Sequence, residues 1–172
     1  VGANVDCKPE HLFEFAVMSE AYAQQILHIQ KPKISLLSNG EEDCKGNETS
    51  KAAFELLKKM DNFVGNAEGN QVFDGSVDII VCDGFVGNTV LKLSEGMAKT
   101  MVDIIKGEIT KGAYKFAAAM LKKPFRNVKN FLDADEVGGA PFIGLKSLVV
   151  KAHGSSNAKA MLFLPSGTPV PR

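Results

Sequence analysis

Short apolar runs alternate with stretches of helical periodicity, and that alternation limits what the chain can fold into more than any other feature. Ile34-Ser35-Leu36-Leu37, Phe63-Val64-Gly65-Asn66, Val77-Asp78-Ile79-Ile80-Val81-Cys82 and Leu148-Val149-Val150 have the length and composition of buried strands. After Pro9, a favoured first helical residue, Leu12, Phe13, Ala16, Val17, Ala23, Ile26 and Leu27 recur at helical spacing, which predicts a helix of about five turns. From Glu48 to Met60, the side chains of Ala53, Phe54, Leu57 and Met60 share a face, and a further helix is expected from Asn88 to about Lys106. Parallel strands need crossovers, which helices supply, so the expected class is α/β, with a parallel or mostly parallel sheet covered on both faces.

At 172 residues and 45% hydrophobic content, the chain can bury a core as one domain or as most of a larger one. Twenty basic and twenty acidic residues cancel. No overall field therefore draws in nucleic acid, and a charged partner must meet a local patch. Cys7, Cys44 and Cys82 stand apart, with no CxxC pair or histidine cluster, which predicts a reduced, cytosolic protein with no metal site and no cofactor. No run approaches the ~20 apolar residues of a membrane span. Val1-Gly2-Ala3-Asn4 reads as a strand end and its loop, so the chain is expected to begin inside a domain. Pro165, Pro169 and Pro171 mark 165–172 as a tail or cloning remnant.

Each expected strand is followed by glycine and short polar residues: 39–47, 66–69, 83–88 and His153-Gly154-Ser155-Ser156-Asn157. In a parallel sheet such loops gather on one edge, beside helix N-termini, where ligands bind. Glycine lets backbone N–H groups approach an anion, and serine and asparagine add neutral donors, so together the loops could cradle phosphate. The plainer alternative is turn and cap chemistry, with Asn88 and Asn157 as helix caps, His153 as a satisfied strand-end histidine and Cys82 as a core residue. A nucleotide fingerprint, a P-loop lysine motif and a nucleophile elbow are all missing from the sequence.

Taken together, Val1-Gly2-Ala3-Asn4-Val5-Asp6, Gly40-Glu41-Glu42-Asp43 with Lys45-Gly46-Asn47, Asp83-Gly84-Phe85-Val86-Gly87-Asn88 and His153-Gly154-Ser155-Ser156-Asn157 resemble the signature runs of the PlsX-type acyl-ACP:phosphate acyltransferases. The resemblance extends to about residue 161 and implies the C-terminal portion of a Rossmann-like, three-layer α/β/α fold, spanning 1–164, in a homodimeric enzyme. It also implies transfer of a fatty acyl group from acyl carrier protein to inorganic phosphate. Under that reading His153, Asn88 and Asp83 carry catalysis, and Gly84, Ser155, Ser156, Asn157, Glu42, Lys45 and Asn47 bind phosphate or the acyl group. Two other readings stand beside it: a phosphate acetyl- or butyryltransferase using acyl-coenzyme A, and a non-catalytic piece that retains dimer contacts.

Segment 109–132 has no acidic residue. Its basic residues, with Lys115, Lys122, Lys123 and Arg126 among them, are interleaved with apolar ones such as Phe116 and Met120. A basic amphipathic insertion broken at Pro124 is expected there, facing an anionic membrane surface, acidic acyl carrier protein or a partner subunit. An ordinary surface helix with solvated lysines has the same pattern.

Overall fold

A computed structural model gives the fold and describes residues 1–111, 121, 123, 124, 140–147 and 149–151. Helix α1, Pro9–Gln25, opens at a proline, whose missing N–H would be unpaired there in any case. His11 folds back at this end, its Nδ1 accepting the Lys8 N–H at 3.2 Å. Strand β1, Ile34–Leu37, lies between β2, Phe63–Ala67, and β3, Ile79–Val81, and is parallel to both, giving the order β2-β1-β3. Ser35 sits opposite Ile80, and Leu36 opposite Val81.

Helix α2, Glu48–Leu57, connects β1 to β2 and is capped by Asn47, whose Oδ1 accepts the Ser50 N–H at 2.8 Å. Its buried residues Ala53, Phe54 and Leu57 join Leu12 and Ala16 of α1 and Ile34, Leu36 and Val81 of the sheet in one core. Phe54 meets Phe63 edge to face, with ring centroids 5.2 Å apart. At the amino ends of the strands, Asn62 Nδ2 donates to Glu20 Oε1 at 2.8 Å and to the Pro32 carbonyl at 2.9 Å, and Asp78 Oδ2 accepts the Lys33 N–H at 2.8 Å.

Helix α3, Gly84–Ile109, begins four residues before the expected start at Asn88. Asp83 is the cap, its Oδ1 accepting the Val86 N–H at 2.7 Å. The glycines that read as loop residues are there for close approach. A Cβ on Gly84 would lie 2.6 Å from the Gly2 carbonyl oxygen, and one on Gly87 would lie 2.8 Å from Cys82 Sγ. Helix α2 is shorter than its periodicity predicts and ends at Leu57, with Met60 entering the core from the following turn.

The chain divides into two compact units, Val1–Val90 and Leu91–Arg172. The first holds the three-stranded parallel sheet and its flanking helices. In the second, the strand expected at 148–150 is β5, Val149–Lys151, and it pairs antiparallel with β4, Ala140–Phe142, in a separate sheet. β4 was not expected from the sequence; it accommodates Pro141 because, among the described residues, both strands of this sheet are edges, and an edge tolerates proline. Lys115, Phe116, Met120, Lys122 and Arg126 lie outside the described residues, and Lys123 is exposed. Among the described residues no helix is long and apolar enough to cross a membrane.

Leu57 is fully buried between α2 and the sheet. Leu57→Ala should cost about 2–5 kcal/mol of unfolding free energy. Urea denaturation followed by circular dichroism checks this, and a loss below that range would show that α2 does not carry the core.

Candidate functional site

The chain leaves β1 toward β2 on one side and returns to β3 on the other, so the carboxyl ends of β1 and β3 form a topological switch point. An open cleft of about 890 Å³ lies there. Its wall is built from the end of β1 (Leu36 to Asn39), the end of β3 (Cys82 and Asp83), Gly69 after β2 and the segment Val5 to Cys7. The N-terminal ends of α2 and α3 complete it, through Asn47, Thr49 and Ser50 and through Val86 and Val90.

The cleft wall is polar beside the N-terminus of α2. Asn39 Oδ1 accepts the Gly46 N–H at 2.8 Å, and Gly46 adopts φ +105, a conformation open to glycine. A side chain there would collide with Ser50 Oγ and lie 3.4 Å from Ser38 Oγ. Asn66, only 8% exposed, donates from Nδ2 to the Glu42 carbonyl at 2.9 Å and so ties the β1–α2 loop to β2. The α2 amides of Glu48 and Thr49 have no hydrogen-bond partner among the described residues, which leaves the positive end of the helix facing the loop. Ser38 Oγ and Asn66 Oδ1 are buried without a partner among the described residues. Apolar side chains of Val5, Leu12, Leu37, Val86 and Val90 also line the cleft.

Two thiols also line the cleft. Burial pushes the Cys7 thiol up, with Asp83 and Asp6 adding to the shift and the Gly84 amide opposing it, and burial likewise pushes Cys82 up. Both are therefore neutral thiols at pH 7, ill suited to nucleophilic attack. The arrangement favours holding an oxyanion beside an apolar group over covalent chemistry through cysteine.

Of the residues singled out from the sequence, Asn47 and Asp83 line this cleft, each also capping a helix. Gly84 spends its N–H on the Asn4 carbonyl at 2.7 Å, which leaves no amide there for a phosphate oxygen. Asn88, Glu42 and Lys45 are exposed and stand outside the cleft wall. Asn88 lies within α3, so it is not the cap that the sequence allowed. His153, Ser155, Ser156 and Asn157 lie outside the described residues. The sequence reading passed over Ser38 and Ser50, although Ser38 directly precedes Asn39-Gly40 at a strand end, and that position was the signal to follow.

A family profile described as fatty acid synthesis protein matches residues 1–163. The chain belongs to that family. It is 60% identical over 162 residues to the phosphate acyltransferase of Campylobacter hominis and 57% identical over the same length to those of Campylobacter fetus subsp. fetus and a Nitratiruptor species. Each match covers 94% of this chain and 49% of the relative, so the chain spans about half the length of these relatives.

Two measurements test the cleft. Gly46→Ala should destabilise the chain by about 1–3 kcal/mol, because alanine cannot take that backbone conformation without strain; an unchanged urea midpoint would contradict the loop geometry. Iodoacetamide should modify exposed Cys44 at neutral pH while Cys7 and Cys82 react only as pH rises beyond the ordinary thiol range, read by mass spectrometry of the peptides. Equal reaction of all three at pH 7 would remove the buried-thiol assignment.

Proposed function

We propose that the protein to which this chain belongs transfers a fatty acyl group from acyl carrier protein to inorganic phosphate, giving acyl phosphate for phospholipid synthesis. The observation that carries this reading is the cleft at the switch point, lined both by polar groups at the N-terminus of α2 and by apolar residues, Val86 and Val90 of α3 among them. The name its relatives carry, phosphate acyltransferase, supports the same reading. The whole protein takes a Rossmann-like three-layer α/β/α fold and works as a homodimer. In this proposal the basic segment 109–132 is an insertion that meets an anionic membrane surface.

Phosphate is an anionic nucleophile at neutral pH, so the site needs to hold it against the thioester carbonyl and stabilise the developing oxyanion. A phosphate oxygen bonds to the carbonyl carbon, the carbon–sulfur bond breaks, and the carrier leaves as its thiol after taking a proton. His153 serves as a donor or proton shuttle, and Ser155, Ser156 and Asn157 contact the anion.

Incubating a purified protein carrying this sequence with acyl carrier protein thioester and phosphate, then trapping acyl phosphate with hydroxylamine, tests the reading. Product should depend on phosphate and fall more than about tenfold in His153→Ala. A higher rate with short acyl-coenzyme A thioesters would move the protein to the acetyl- or butyryltransferase class, and no product from either donor would end the proposal. Phe116→Glu with Met120→Glu should abolish binding to anionic vesicles while leaving the circular dichroism spectrum intact; retained binding would assign the membrane contact to another surface.

A further inference from the structure

We infer that Ser38, at the carboxyl end of β1, is a direct contact to inorganic phosphate, its hydroxyl donating to a phosphate oxygen held at the N-terminus of α2. The inference deepens the acyl-transfer reading and rests on it for the identity of the anion.

Three observations converge on this side chain. Ser38 lines the cleft, and its backbone N–H is already engaged by the Ala67 carbonyl at 2.9 Å, which fixes the residue at the strand end. Its hydroxyl oxygen is buried and has no hydrogen-bond partner among the described residues. A hydroxyl left in that condition opposes folding, and alanine at the same position would avoid the cost, so the group makes sense where a ligand completes it. Rotation about one bond, χ1, is all that redirecting the hydroxyl requires.

The surroundings fit a tetrahedral oxyanion. Gly46 faces Ser38 Oγ, and a side chain on it would lie 3.4 Å from that oxygen and collide with Ser50. Ser50 occupies the position that a Gly46 Cβ would take, so Ser38, Gly46 and Ser50 meet at one point of the cleft wall. The first-turn amides of Glu48 and Thr49 have no partner among the described residues, and they carry the positive end of the α2 dipole. Ser50 is a weaker candidate as donor, because its hydroxyl already donates to the Asn47 carbonyl at 3.0 Å. Asn66 of β2, only 8% exposed, donates to the Glu42 carbonyl and so ties the β1–α2 loop to β2.

The test compares the chain with Ser38→Ala and Ser38→Thr by calorimetric titration with inorganic phosphate, alongside thermal melting without phosphate. Ser38→Ala should raise the Kd for phosphate about tenfold, as loss of one hydrogen bond to a charged group does, while Tm stays level or rises. Ser38→Thr, which keeps the hydroxyl, should restore most of the affinity. In the acyl phosphate assay, Ser38→Ala should raise KM for phosphate and leave KM for the acyl donor unchanged. Phosphate affinity equal to the parent chain in Ser38→Ala, or a fall in Tm with affinity retained, would overturn the inference, and so would a parent chain that binds no phosphate. Weakened phosphate binding in Ser38→Ala from a parent that makes no acyl phosphate would uphold the Ser38 contact and remove the acyl-transfer reading.

Discussion

The structure of the first unit depends on the position of one short strand. β1 pairs on both sides, and Ile34, Ser35 and Leu36 are each no more than 1% exposed. A strand buried on both faces must be apolar along its length, and Ile34-Ser35-Leu36-Leu37 meets that need with a single small hydroxyl as the exception. Because β1 is central, everything that leaves its carboxyl end emerges between the ends of β2 and β3. The strand that fills the core therefore also delivers Ser38 and Asn39 to the cleft.

The helices do similar double duty. Asn47 and Asp83 start α2 and α3 by capping their first turns, and the same caps aim both helix ends at the switch point. No dedicated catalytic scaffold has to be added to the fold for this. The β1–α2 loop is held by the Asn39 bond to Gly46 and the Asn66 bond to Glu42, so its shape is set by side chains that need no ligand to be in place. Preorganisation of this kind lowers the cost of binding a small anion.

Much of this was legible in the sequence. β1 was readable residue for residue, α1 began at Pro9 as expected, and the convergence of the 39–47 and 83–88 loops on one edge followed from the α/β alternation. The errors have physical causes. Gly84 and Gly87 were read as loop glycines that bring backbone amides to an anion, whereas they allow α3 to pass within contact of Gly2, Asn4 and Cys82, a long-range packing demand that local propensity does not encode. β4 escaped notice because three residues are too few for a period of two to register. For Ser38 the sequence offered only its place before Asn39-Gly40 at a strand end; the feature that singles it out, a buried hydroxyl without a partner among the described residues, exists only in three dimensions.

The central claim is that separate strand-end turns form one anion site at the carboxyl ends of β1 and β3. Titrating the isotopically labelled chain with phosphate and following backbone amide resonances tests it most directly. Saturable shifts are expected at Ser38, Gly46, Glu48, Thr49 and Val86, with the amides at the amino ends of the strands, such as Lys33 and Asp78, unmoved. Shifts centred on those amino ends, or spread over the surface without saturation, would contradict it.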